Sequence, residues 1–263
     1  MKHITSRENA LYKDTLKLTR KKYRDQKGQF LLEGIKVLKD AASTGARIEG
    51  VFLDEQRYER FGKEELPAVF EEQTYLLDSR LFGELSDTEH SQGVVSVAVK
   101  PWEDGGSFET LEAGANLVVL DRLQDPGNIG TIIRTAEAAG YAGVIAIKGT
   151  GDIYAPKVCR AAAGSLLRMP AVICESAAEA AELLHGLGKK LTVTCLEGAT
   201  SCFEADLTEN IALVIGNEGR GVSRDFMDLA DIKVKIPMQG RIESLNAAVA
   251  AGILMYQSVG GKF

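Results

Sequence analysis

The sequence predicts an α/β protein, with a mostly parallel sheet in its C-terminal half and a smaller α/β unit before it. Three observations carry this prediction. From residue 116 onward, short apolar runs alternate with helical patterns, as parallel strands joined by crossover helices do. Residues 28–100 hold a shorter alternation that ends in the regular strand "GVVSVAVK". Between the two, "PWEDGGSFETLEAGA" (101–115) breaks both patterns with Pro, paired Gly and acids. The expected division is 1–100, a linker at 101–115 with the lone Trp102 packed on one of the domains, and 116–263.

The elements follow in order. "QFLLEG" is a short strand, and "IKVLKDAASTG" is a helix stopped by Gly45. "RIEGVFLD" and "TYLLD" read as strands and "SRLFGELSD" as a helix. In the second domain, "NLVVLD" is a buried-type strand and "PGNIGTIIRTAEAAG" a turn and helix closed by Gly140. "AGVIAIKG", "MPAVIC", "KLTVTCLEG", "NIALVIG" and "IKVKIPM" are further strands. "PKVCRAAAGSL", "SAAEAAELLHGLG", "RDFMDLA" and the Ala-rich final segment are helices.

The 263 residues are 45% hydrophobic and 26% charged, a globular balance with length enough to bury a core. No run approaches the roughly 18 apolar residues of a membrane span. The start, "MKHITSRENALYKD", lacks the apolar stretch of a secretory signal, so a cytoplasmic protein without a membrane partner is expected. Cys159, Cys174, Cys195 and Cys202 show no Cys-x-x-Cys spacing and read as reduced, packed thiols. His3, His90 and His185 are scattered away from carboxylate and cysteine clusters, so neither a metal nor a His-based triad is expected.

The net charge of −6 is unevenly spread. Residues 1–30 hold nine Lys and Arg against three acids, giving +6 and leaving −12 for the other 233 residues. "LKLTRKKYRDQKGQF" interleaves this charge with Tyr23 and Phe30. Such a segment suits phosphates and stacked bases, or is a solvated surface helix; charge alone leaves both open.

Ligands of open α/β sheets bind beyond the carboxyl ends of the strands, where three polar clusters stand. In the first, Pro126-Gly127-Asn128 enters a helix that carries Arg134 among small apolar residues. That arginine either pairs with Glu137 or Asp125 or grips an anion. In the second, three glycines surround Asn217 and Glu218. In the third, Ser244 and Asn246 stand at the mouth of the last helix, where one cap would suffice.

"DPGNIGTIIRTAEAAG", "VIGNEGRGVS" and "IPMQGRIESLNAAVAAGIL" closely resemble the three motifs of the SpoU (TrmH) family of RNA ribose 2′-O-methyltransferases. The resemblance covers roughly 116–258. Residues 28–100, with "FLLEGIKVLKDA", resemble the small substrate-binding domain that precedes the catalytic domain in many members. The pattern is most similar to the YsgA-like branch, which modifies 23S ribosomal RNA.

The resemblance implies a trefoil knot in the C-terminal domain, against the general rule that chains do not thread their own loops. It implies S-adenosylmethionine held by backbone groups at Gly216, Ile236 and Leu245. It makes Arg134 the catalytic arginine at the 2′-hydroxyl, with Asn128 and Glu218 positioning it and the nucleotide, and Ser244 and Asn246 completing the pocket. A guanidinium stays protonated at physiological pH, so contact with ribose and phosphate suits Arg134 better than the role of base. The methyl group is already activated, so no metal is needed. The resemblance also implies a homodimer through the knotted domain, to which Ala247, Ala248, Ala250, Ala251 and Gly252 offer close helix approach; ordinary intrachain packing explains the same residues. The alternatives are a tRNA 2′-O-methyltransferase, an RNA-binding member without catalysis, and a Rossmann-type enzyme using "DPGNIG". The last lacks the glycine fingerprint and the acidic ribose partner.

Overall fold

A computed structural model describes residues 1–61, 66–88, 91–101, 108, 111–112, 114–195, 198–242 and 244–260. Trp102 and His90 lie outside the described residues, as does most of the expected linker. Two compact units emerge: Met1–Glu103 with Tyr154–Arg168, and Asp104–Ile153 with Met169–Phe263.

The first unit runs β1 (Lys2–Ile4), α1 (Ala10–Lys17), α2 (Lys21–Lys27), β2 (Gln29–Glu33), α3 (Ile35–Thr44), β3 (Ile48–Asp54), α4 (Glu55–Phe61), β4 (Thr74–Leu77), α5 (Ser79–Leu85) and β5 (Val94–Val99). Its sheet has the order β1-β4-β3-β5-β2, with β5 antiparallel to both neighbours. Tyr12, Phe52, Leu77 and Leu81 anchor the core. Gly45 takes φ 68° and ends α3, as expected, because a left-handed C-cap suits a residue without Cβ.

The basic segment is an edge strand and two short helices rather than one solvated helix. Arg24 is buried and donates to the Leu18 carbonyl at 2.7 Å, so it is structural. Asp14 pairs with Lys17 at 2.8 Å and with Lys27 at 3.2 Å, and Glu8 pairs with Lys13. Arg20, Lys21 and Lys22 remain exposed.

The second unit opens with β6 (Leu117–Asp121), α6 (Pro126–Ala138) and β7 (Gly143–Ile147). The chain then supplies α7 (Pro156–Ala162) to the first unit. This departs from the expected division, which assigns 154–168 to the C-terminal domain. Tyr154 packs its ring 4.8 Å from that of Phe30, with the Lys100 ammonium over its face, and Arg160 reaches Asp87 at 3.2 Å. Val158, Cys159, Ala162 and Leu166 are buried. The helical pattern of this segment was legible; its destination was not.

The chain resumes with β8 (Ala171–Cys174), α8 (Ala177–Gly186), β9 (Lys190–Thr194), β10 (Thr200–Ser201), β11 (Ile211–Gly216), α9 (Arg224–Leu229), β12 (Ile232–Lys235) and α10 (Ala247–Val259). The sheet order is β10-β12-β9-β11-β6-β7-β8, and every pair is parallel. The central strands β6, β7 and β11 are buried throughout, which is why they read as unbroken apolar runs. Phe108 belongs to this core and is 1% exposed, so the stretch read as linker contributes to the second unit.

Candidate active site

From β6 the chain winds toward β7 and β8 on one side, while β11, β9 and β12 lie on the other. The reversal falls between β6 and β11, where open α/β sheets form their ligand crevice. Asp121 and Gly216, the last residues of these strands, are register partners. Just beyond Gly216 the chain folds back tightly: Asn217 and Gly221 exchange backbone hydrogen bonds of 3.0 and 2.8 Å. A Cβ on Gly216 would overlap the backbone of Gly221 and Val222, so only glycine fits. Asn217 Oδ1 accepts from the N–H groups of Gly219 and Arg220 at 3.0 and 3.2 Å, closing the turn.

Glu218 projects from this turn to the start of α6. Its Oε2 accepts from Gln124 N at 3.1 Å, and its Oε1 from Asp125 N at 3.0 Å and Asn128 Nδ2 at 3.2 Å. Burial would raise the carboxyl's pKa. The N–H groups of Glu218 itself, Asp125 and Gln124, with the Asn128 amide, outweigh that and hold it below the ordinary value. Asp125 caps α6 by accepting from Asn128 N at 2.8 Å.

An ionised carboxylate only accepts, so it fixes the Asn128 amide with its NH2 toward Glu218. Asn128 Oδ1 then accepts from Asn246 Nδ2 at 2.9 Å. Asn246 Oδ1 in turn caps α10, accepting from Ala248 N at 2.9 Å and Val249 N at 3.2 Å. Capping and site assembly are therefore one function of one side chain. A continuous chain, Glu218–Asn128–Asn246, ties together the three polar clusters that the sequence holds roughly 90 and 30 residues apart.

Arg134 lies on α6, exposed, and among the described residues forms neither a hydrogen bond nor an ion pair. The expected alternatives of a bridge to Asp125 or Glu137 are not formed, which leaves the guanidinium for a ligand. Ser244 stands two residues before Asn246, exposed and without a hydrogen bond among the described residues. Ile236 follows β12 half-buried, and Leu245 precedes α10 at 36% exposure. Among the described residues, no backbone–backbone hydrogen bond uses residues 236–245. Their peptide groups and the apolar Ile236 and Leu245 fit a nucleoside held by main-chain contacts.

The SpoU rRNA methylase family matches residues 115–256, more than half of the chain. The chain belongs to the SpoU family. An MRM3-like substrate binding domain matches residues 9–96. Among SpoU relatives, a Bacillus subtilis 23S rRNA (guanosine(2553)-2′-O)-methyltransferase, RlmP, is 34% identical, over 97% of this chain and 98% of its own. A Streptomyces viridochromogenes 23S rRNA (uridine(2479)-2′-O)-methyltransferase is 33% identical, over 98% of this chain and 92% of its own. The AdoMet-bound rRNA methyltransferase of Sinorhizobium meliloti superposes with a TM-score of 0.84 at 28% identity, covering 98% of this chain and 97% of that one. The SpoU methyltransferase AviRb of S. viridochromogenes with AdoMet gives 0.81 at 29% identity, covering 97% and 98%.

Beside the site, a cleft of about 720 Å³ opens at the ends of β6 and β11, walled by Arg122, Arg220 and Arg224. The sequence pattern singles out none of the three, nor Gln124 and Asp121. Their signal is positional: each stands within a few residues of a glycine turn after a buried strand.

Proposed function

We propose that this SpoU protein transfers a methyl group from S-adenosylmethionine to a ribose 2′-hydroxyl of 23S ribosomal RNA. The observation that carries the reading is the Glu218–Asn128–Asn246 chain, which assembles the three motif loops at the switch point, with Arg134 on the same helix as Asn128 and unpaired among the described residues. S-Adenosylmethionine, when bound, supplies a methyl group already activated as a sulfonium. The peptide groups of Gly216, Ile236 and Leu245 would hold the donor, with the apolar side chains of Ile236 and Leu245 beside it. Arg134 contacts the ribose and its phosphate and favours the alkoxide that develops as the 2′-hydroxyl proton leaves. Asn128 and Glu218 fix the start of α6, and so the height of Arg134 above the ribose. Ser244 supplies a hydroxyl at the mouth of the same pocket. The first unit collects the RNA through Arg20, Lys21 and Lys22, which are exposed and form no ion pair among the described residues.

The same reading includes the family's trefoil knot, its cytoplasmic setting and a homodimer through α10. The dimer is supported by an apolar stripe at helical spacing, Val249 at 52% and Tyr256 at 50% exposure. Of the small-residue face expected from the sequence, Ala248 and Ala251 are buried within the chain, whereas Ala247, Ala250 and Gly252 are half-buried. A monomer mass by light scattering at micromolar concentration would refute it.

Ribose methylation of 23S rRNA, mapped by mass spectrometry in cells with and without the protein, tests the activity. One 2′-O-methyl nucleotide should vanish. The purified protein should accept an RNA fragment spanning it and reject the same fragment with a single 2′-deoxy at the target. A base-methylated product, or methylation of the deoxy fragment, would overturn the reading.

A further inference from the structure

Arg122 has φ 58°, a left-handed conformation that costs an ordinary L residue roughly 1–2 kcal/mol. Strain of this kind persists where the surroundings over-determine it. Here they do: Arg122 N donates to Thr150 Oγ1 at 3.1 Å, and its carbonyl accepts from Asn217 Nδ2 at 2.8 Å and Gln124 Nε2 at 3.0 Å. The side chain is held as firmly. Its Nε donates to Oδ1 of Asp121 at 3.2 Å, and Asp121 is 1% exposed. Its stem lies along Gly149, where a Cβ would stand 3.3 Å from Arg122 Cγ. Five constraints thus aim one guanidinium into the cleft. Facing it are Arg220, whose side chain has no partner among the described residues, and Arg224, whose side chain is 92% exposed beside Asp228. The Ser223 hydroxyl, in the cleft wall, is shielded and lacks a hydrogen-bond partner among the described residues.

We propose that this cleft is a phosphodiester site that holds the RNA backbone next to the ribose being methylated. The proposal rests on the methyltransferase reading above and adds residues to it. Three separated guanidinium groups suit a polymer with repeating charge, and a planar fork suits its non-bridging oxygens. The position favours the acceptor over the donor. The cleft spans the ends of β6 and β11 and reaches Gly149 after β7, whereas loop 236–245 follows β12, which lies two strands beyond β11 in the sheet. Gln124 joins cleft to catalytic centre: its N–H meets Glu218 at 3.1 Å and its amide meets the Gly149 carbonyl at 2.6 Å. Of the two carboxylates in the wall, Asp121 has its oxygens taken by Arg122 Nε and by Ser223 N at 2.6 Å, and Asp225 Oδ2 stands 3.9 Å from Arg122 Nη2 in a solvent-exposed pair that a phosphate would displace.

The test compares Arg122→Gln, Arg220→Gln and Arg224→Gln with Lys190→Gln, which removes the same charge from the amino end of β9. Binding to an unmethylated 23S rRNA transcript is measured between about 50 and 200 mM salt. Each cleft variant should bind roughly tenfold more weakly at the low end. Each should also show a salt slope less negative by about 0.7. S-Adenosylmethionine affinity by calorimetry should not change, and Lys190→Gln should keep the wild-type slope. Arg220 and Arg224 are exposed, so they decide the matter if Arg122→Gln melts early. Unchanged slopes in Arg220→Gln and Arg224→Gln, or a fall in donor affinity instead, would overturn the site. Because binding is read without turnover, a protein that binds through the cleft yet methylates nothing would sink the methyltransferase reading alone.

Discussion

Replacing Asn128 with Asp puts a second carboxylate oxygen where Asn128 Nδ2 now faces Glu218 Oε1 at 3.2 Å. Two full charges at that distance repel by about 5 kcal/mol at an effective permittivity of ~20. Glu218 is exposed, and solvent screening cuts this to roughly 1–2 kcal/mol. The lost hydrogen bond to a charged acceptor adds about 1.5 kcal/mol. Asn128→Asp should therefore cost about 3 kcal/mol near neutral pH. The pH dependence carries a sign. Wild-type Glu218 titrates below its ordinary value, so its contribution is present above the carboxylate range and lost as pH falls. In the variant, mutual repulsion opposes ionisation of the pair, so stability is retained at low pH and lost as pH rises through the carboxylate range. Urea denaturation across that range reads the difference between the two proteins. Parallel curves would refute the direct Asn128–Glu218 contact, and with it the chain that joins the motifs.

Arg134→Ala should keep S-adenosylmethionine binding in calorimetry and lose most methyl transfer; wild-type turnover would remove Arg134 from the mechanism. Gly216→Ala should destabilise the protein by about 3 kcal/mol, because the Gly221–Val222 backbone must move, and should weaken donor binding with it. Deleting residues 1–100 should give an aggregating product, since Tyr154, Val158 and Leu166 lose their cover. Deleting them while replacing 154–168 with a short Gly/Ser loop should restore cooperative melting; a soluble, cooperative simple truncation would show that the docking of 154–168 matters little.

Most elements were legible because their signals are local. The buried runs of β6, β7 and β11, the Gly45 stop and the Asp125–Pro126 helix entry each state their structure within a few residues. What was missed depends on distant partners. β1 is three residues long and becomes a strand only by pairing with β4, and β10 has two residues beside β12. The site divides in the same way. Glu218, Asn128 and Asn246 stand out as polar residues after apolar strands, but their hydrogen-bonded chain spans up to 118 residues of sequence. Arg122 gives no local signal, since neither its φ nor its anchor Asp121 can be seen without the fold.

The excursion of Tyr154–Arg168 into the first unit sets a schedule for synthesis. The ribosome finishes residue 103 well before it reaches 154, a gap of 51 residues. At about 10 residues per second that is roughly five seconds. During this delay the nascent first unit lacks Tyr154, whose ring packs against that of Phe30 in the finished fold. It must wait, half finished, for a piece encoded beyond the first two strands of its neighbour. Chaperone contact, aggregation on overexpression and intolerance of domain shuffling should all concentrate on that interval.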